Sequence, residues 1–152
     1  MRGAHGGRFI PLPQGEREGY RGEMPVELNH TIVWCRDKMR SSAFLAEMFG
    51  RPAPRPFFHF MVVELDNRVS LDFYQKEGEV SVQHYAFLVG EEQFDIVLGR
   101  IRDQGLDHWA DPARTRPGEI NRHFGGRGVY FEDPDGHLLE AITRPYGSEG
   151  EL

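Results

Sequence analysis

The sequence predicts an α+β domain built from two tandem βαβββ modules, and three observations carry that expectation. Each half opens on an alternating, strand-like segment that carries a histidine, His30 in one and His84 in the other. Each continues into an amphipathic helix closed by a glycine, Gly50 lying 20 residues after His30 and Gly105 lying 21 after His84. Each then returns in strands that carry a carboxylate, Asp72 at 42 residues from its histidine and Glu140 at 56. Order and spacing together read as an internal duplication. The excess of 14 residues in the second half falls in the Arg-, Gly- and Pro-rich stretch from Ala113 to Gly126.

Taken in order, residues 26–35 alternate as a half-buried strand with Leu28, His30, Ile32 and Trp34 on one face. Asp37 is a plausible N-cap for the helix that follows. Phe44/Met48 and Leu45/Phe49 pair at helical spacing, and Gly50 with Pro52 stops the helix. Residues 57–65 read as a strand, Asp66-Asn67 as a turn, and Val69 to Tyr74 as the return. In the second half, Val82 to Val89 is the histidine-bearing strand. Glu91 to Gln104 is a helix that is acidic at its start, with Phe94, Val97, Leu98 and Ile101 on one face. Short strands are expected at Asp107 to Ala110 and Gly128 to Glu132, then an Asp133-Pro-Asp-Gly136 turn and a last strand from His137 to Thr143. The Ala113 to Gly126 loop is either a cover for a site on the neighbouring hairpin or a plain surface insertion.

Composition bounds the function. The 152 residues suffice for one domain with a sizeable core. A net charge of −6 with both signs interspersed, and no basic patch with interleaved aromatics, argues against nucleic acid as a partner. Cys35 is the single cysteine, so no internal disulfide forms. No apolar run approaches membrane-spanning length, and a cytoplasmic location is expected. Residues 1–24, rich in Gly and Arg, read as a flexible leader. Residues 25–146 form the compact domain, with module one at 25–76 and module two at 80–146, and residues 147–152 read as a frayed tail.

The candidate chemistry lies on the repeat. His30, His84 and Glu140 supply two imidazoles and a carboxylate, a set suited to one divalent ion of Fe, Mn, Ni, Co or Zn with positions left for substrate or O2. Glu140 sits among Leu138, Leu139, Ala141 and Ile142, where an unpartnered carboxylate is costly. The alternative is a buried polar network, for which Arg144, on the face of Glu140 by alternation, is the one obvious cation; Arg144 is also a candidate to hold a substrate oxyanion. Other chemistries lack their motifs. Gly125-Gly-Arg-Gly128 precedes a strand rather than a helix, and neither a P-loop nor a Gly-x-Ser-x-Gly elbow occurs.

The paired βαβββ plan with His, His and Glu resembles the vicinal oxygen chelate superfamily, which includes glyoxalase I, fosfomycin-resistance proteins, bleomycin-binding proteins and type I extradiol dioxygenases. The resemblance spans about residues 26–146. It implies a cupped mixed sheet around a metal held by His30, His84 and Glu140, with Asp72 as the fourth, carboxylate ligand of a glyoxalase-like site. A one-residue register slip moves Asp72 to the opposite, solvent-facing side. The run Asn121-Arg-His123, Val129-Tyr130, Asp133-Pro-Asp-Gly136, Glu140 resembles the extradiol dioxygenase signature. By that resemblance His123 is an acid/base or oxygen-stabilising group, and Tyr130 hydrogen-bonds a substrate oxygen. On the residues alone, His123 is equally an exposed loop residue and Tyr130 a packed sheet residue. The further histidine of extradiol enzymes has no motif here; His59 is the one candidate, and its strand position suits ordinary packing better.

The resemblance also implies a homodimer with exchanged modules, in which His30 with Asp72 of one chain faces His84 with Glu140 of the other. Expected activities are extradiol-type oxygenolysis of a catechol-like substrate, a glyoxalase-type lyase or isomerase reaction, thiol or water addition to an epoxide antibiotic, or metal-free drug binding.

Overall fold

The computed structural model describes residues 25–148, so the leader and residues 149–152 of the tail lie outside the described residues. Two four-stranded mixed sheets form the molecule. Module one contains β1 (His30–Cys35), α1 (Lys38–Met48), β2 (Arg55–Phe57), β3 (Phe60–Glu64) and β4 (Ser70–Gln75). Module two contains β5 (His84–Leu88), α2 (Glu91–Asp103), β6 (His108–Trp109), β7 (Gly128–Glu132) and β8 (Leu138–Ile142). Strand order is β1-β4-β3-β2 in one sheet and β5-β8-β7-β6 in the other. In both, the first and last strands run parallel and the others antiparallel. The fold is that of two tandem βαβββ modules, as the spacing of the repeat predicts.

The helices form where the sequence signals them. Asp37 caps α1 by accepting from the Arg40 N–H at 3.0 Å. Gly50 follows in the left-handed region at φ 61°. In α2, Phe94, Val97, Leu98 and Ile101 are all buried, with Glu91 and Glu92 in the first turn and Arg100 and Arg102 in the last. Helix α1 lies on β3 and β4, α2 lies on β8, and the two helices touch. Leu71 and Phe73 of β4 and Leu139 and Ala141 of β8 point to the helix side and join one core with residues of both helices. The opposite face of each sheet stays open. Ile32, Trp34, Phe57 and Leu88 are large apolar residues exposed there or along its edges.

Three expectations need correcting. The first strand begins at His30 rather than at residue 26. Its partner β4 starts at Ser70, opposite His30, so no strand runs beside Val26 and Leu28, and both are exposed despite their alternation. The strand expected over 57–65 is two strands, because Phe58 turns the chain at φ 49° and β2 pairs back with β3 as a hairpin. Pro56 is tolerated because β2 is an edge strand. His59 therefore sits exposed in the hairpin turn instead of packing in a strand, and its carbonyl accepts from Lys38 Nζ at 2.9 Å. Finally, Ser148 folds back on the Pro145 carbonyl through its amide and its hydroxyl, so the described part of the tail is a turn.

The Asp133-Pro-Asp-Gly136 turn does more than reverse the chain. Its Gly136 takes φ 86°, as expected. One of its carboxylates, that of Asp135, reaches into module one, while Asp133 accepts from the Asp135 and His137 amides of the turn itself. Asp135 accepts from Ser41 Oγ at 2.6 Å and from the Arg36 N–H at 2.9 Å. His137, fully buried, accepts the Gln83 N–H at Nδ1 and donates from Nε2 to the Trp34 carbonyl at 2.7 Å. That pairing fixes the neutral Nε2–H tautomer, since an amide only donates and a carbonyl only accepts.

Candidate active site

The parallel β5–β8 ladder sets His84 beside Leu138 and Ala86 beside Glu140. Both functional side chains therefore stand on the open face of the second sheet, and the small Ala86 leaves room between them. His84 Nδ1 lies 2.9 Å from the Leu138 carbonyl, and its Nε2 lies 3.1 Å from Glu140 Oε2. A carbonyl can only accept, so Nδ1 carries the proton. In the neutral ring Nε2 then presents a lone pair to a carboxylate oxygen. Two acceptors face each other at 3.1 Å, so either a proton shared by the pair or a metal ion lies between them. Glu140 is 1 % exposed, so bulk water does not compensate its charge. A ring nitrogen tied to a backbone carbonyl, with its partner nitrogen aimed at an open position, is the usual posture of a metal-ligating histidine.

Tyr130 stands directly opposite Glu140 across the β7–β8 ladder, and its ring stacks on His84 with centroids 5.9 Å apart. Burial pushes the Tyr130 phenol well above the ordinary tyrosine range, and hydrogen bonding to Tyr146 and Glu140 pushes it the same way. It is a proton donor at neutral pH. Tyr146 closes the group. Its hydroxyl lies 3.2 and 3.1 Å from the two oxygens of Glu140 and 3.4 Å from the Tyr130 hydroxyl. Sequence reasoning missed Tyr146 because the Gly-Ser-Glu-Gly run after it reads as a frayed end. No local signal pointed to it, since β8 ends at Ile142 and strand parity does not extend to Tyr146.

Module one carries the matching half. The register pairs His30 with Ser70 and Ile32 with Asp72, so Asp72 holds the ladder position that Glu140 holds in module two. Asp72 is thus on the His30 face rather than slipped to the other. It is 8 % exposed and accepts from Ser70 Oγ at 2.9 Å. His30 is exposed, with Nδ1 2.8 Å from Asn29 Oδ1, so it too offers Nε2. His30 and Asp72 line one groove with Asn29, Arg55 and Phe57.

The structure joins His84, Glu140 and Tyr130 but does not bring His30 or Asp72 to them. Among the described residues, no group of three His, Cys, Asp or Glu side chains converges within one chain. His123 lies exposed in a short 3-10 turn, His123–Gly125, with neither His84 nor Glu140 among its recorded partners. The adjacent Phe124 reaches inward and meets the Tyr146 ring edge-on at 5.6 Å. Arg144 lies past the end of β8, where strand alternation no longer governs it; it is exposed and makes no recorded ion pair with Glu140. The Ala113 to Gly126 loop is pinned to its own module. Asp111 accepts from the Thr115 and Arg116 amides, and buried Asn121 donates to the Ala110 carbonyl at 2.8 Å. Gly128 is required beside it, since a Cβ there would lie 2.8 Å from the Asn121 side chain.

No family model matches the chain. Among solved structures it is similar to one described as Oxidase ChaP-H1, with 62 % identity and a TM-score of 0.80, covering 82 % of this chain and 100 % of that one. Among curated proteins it is 40 % identical over 72 residues to the metallothiol transferase FosB of Shouchella clausii, covering 47 % of this chain and 45 % of that protein. The chain is matched over less than half the length of that relative. It is 28 % identical over 123 residues to the glutathione transferase FosA of Serratia marcescens, covering 77 % and 80 % of the two chains. All three are named as enzymes.

Proposed function

As a member of the vicinal oxygen chelate superfamily, this chain has the scaffold of a metal enzyme, and we propose that it oxidises a small substrate presenting two adjacent oxygens, catechol-like in chemistry, with a divalent metal held by His84 and Glu140. The observation that carries the metal is the lone-pair confrontation of His84 Nε2 and Glu140 Oε2 at 3.1 Å around a buried charge. The oxidative reading is supported by the likeness to an oxidase over that protein's whole length.

His30 completes the ligand set from a second copy of the chain. The two half-sites stand on open sheet faces at equivalent register, and exchange of modules between two chains lets one half face the other. Asp72 comes with His30 and supplies a second carboxylate. The metal, once bound, supplies Lewis-acid activation of the chelating oxygens and a place for the oxidant. The chain's own residues do the rest. Tyr130, kept protonated, turns its hydroxyl from the long 3.4 Å contact with Tyr146 to an oxygen of the substrate beside His84. Glu140 and His84 hold their positions through Tyr146 and the Leu138 carbonyl. His123, exposed on the loop beside Phe124, would take part only through proton exchange with a substrate long enough to reach the loop.

Anaerobic reloading of the metal-free protein with Fe(II), followed by oxygen uptake on a simple catechol, tests this reading. Oxygen consumption that is lost in Glu140→Ala is the expected result. A second reading, a glyoxalase-type lyase or isomerase, is favoured by Asp72 standing in the register position of Glu140. Turnover of a hemithioacetal with Ni(II) or Zn(II), without oxygen uptake and with loss of metal in Asp72→Ala, would replace the first reading by the second. Thiol transfer, the chemistry stated in the names of the curated relatives, is assayed in the same series.

A further inference from the structure

We infer that Tyr146 is a positioning residue for the metal-binding carboxylate: its hydroxyl holds Glu140 in a single-oxygen pose, and Phe124 of the long loop holds Tyr146. The inference rests on the metal reading above. Among the described residues, the side chains of His84 and Tyr146 stand at hydrogen-bond distance from the Glu140 oxygens. The Tyr146 hydroxyl reaches both carboxylate oxygens, and the His84 ring reaches one. Oε2 faces His84 and takes the shorter Tyr146 contact at 3.1 Å, whereas Oε1 has Tyr146 alone, at 3.2 Å. A cation placed between His84 and Oε2 therefore leaves Oε1 to the phenol.

Core burial does not explain where the Tyr146 ring sits, because the residue is 63 % exposed and lies beyond the last strand. Two features of the loop do explain it. Phe124 adopts φ 55° and ψ 28°, a left-handed conformation that is strained for a phenylalanine and persists only where the surroundings over-determine it. That conformation carries its ring to the edge of Tyr146, 5.6 Å away at 79°. Gly126, two residues on, lets the loop lie flush on the segment that leads to Tyr146. A Cβ there would stand 2.6 Å from Thr143 Oγ1 and 2.8 Å from Arg144 Cγ. Loop and C-terminal segment are fitted to one another at the point where the phenol meets the carboxylate.

The proton order follows from the donor count. Tyr146 has one hydroxyl proton and gives it to Glu140, so the long 3.4 Å contact with Tyr130 is donated by Tyr130. Partners that hydrogen-bond a ligating carboxylate fix its orientation, and their loss typically costs roughly 10–100-fold in metal affinity.

Metal-free full-length protein is titrated with Co(II) alone, by calorimetry and by the visible Co(II) spectrum, for wild type, Tyr146→Phe and Phe124→Ala. Tyr146→Phe keeps the ring against Phe124 and removes only the hydroxyl. The expected result is a loss of Co(II) affinity of roughly 10–100-fold with an altered visible spectrum, and a smaller change in the same direction for Phe124→Ala. Wild-type affinity and spectrum in Tyr146→Phe would overturn the inference and leave the metal site standing, even if the melting temperature of that variant fell. Failure of the wild type to bind Co(II) would overturn the metal reading and this inference with it.

Discussion

Glu140 and Cys35 show what burial does to an ionisable side chain with and without partners. The carboxylate is buried yet met by an imidazole and a phenol at hydrogen-bond distance. Cys35, fully buried on β1, has no such help. Burial, reinforced by the nearby Asp135 and Asp133 charges, pushes its thiol from 9.0 up to about 12. The folded protein therefore binds this proton more tightly than the unfolded chain does. The associated stability is fully present below pH 9 and declines as pH rises toward 12. At pH 8 the native thiol resists an aromatic disulfide reagent and reacts at once in denaturant. Fast modification of the native protein at that pH would contradict the assignment. At this scale the sequence was informative in a specific way. His84 and Glu140 were visible because a histidine recurs at the same place in each half and a glutamate stands in an apolar strand. Tyr146 was hidden because its contact depends on a loop whose path no local pattern encodes.

The element scale is where alternation succeeds and fails. It placed Asp72 ambiguously, since a one-residue slip inverts a strand. The observed register, Ile32 opposite Asp72 and Ala86 opposite Glu140, settles the face and shows the repeat to be residue-exact at the carboxylate. It also misread residues 26–29, which alternate but have no neighbouring strand, and residues 57–65, where a positive φ at Phe58 breaks one strand into a hairpin. Arg144 was assigned to the face of Glu140 on the premise that β8 continues, and β8 ends at Ile142. The Asp133 to His137 turn was read as a turn only. It is also the clamp between modules, through Asp135 to Ser41 and His137 to Trp34. These contacts join residues 94 and 103 positions apart, a separation no local signal spans. Replacing His137 by Ala leaves the Gln83 N–H and Trp34 carbonyl unpaired in a dry site and costs about 2–4 kcal/mol of stability by chemical denaturation. A loss under about 0.5 kcal/mol would mean that water reaches the clamp.

Across the whole molecule, duplication explains both what is present and what one chain lacks. The two modules share one core on the helix side, and each keeps an open sheet face that carries a histidine and a carboxylate. Exposed Ile32, Trp34, Phe57 and Leu88 on or beside those faces are the kind of apolar surface that a second copy covers. The fold and its repeat were legible because periodicity and spacing report on short-range order. The separation of His30 from His84 within one chain was expected only through the family resemblance, since sequence order by itself says nothing about which halves face each other. The most direct test of the central claim, a metal site assembled from module one of one chain and module two of another, is complementation between His30→Ala and His84→Ala. Each variant alone is expected to bind Co(II) weakly. After the two are mixed under conditions that let subunits exchange, about half of a random population of dimers are hybrids, each with one intact site of two. Recovery of tight Co(II) binding at about a quarter of the wild-type stoichiometry is the predicted result. A mixture that binds no better than its parts, despite demonstrated subunit exchange, would contradict it and place both histidines on the site of a single chain.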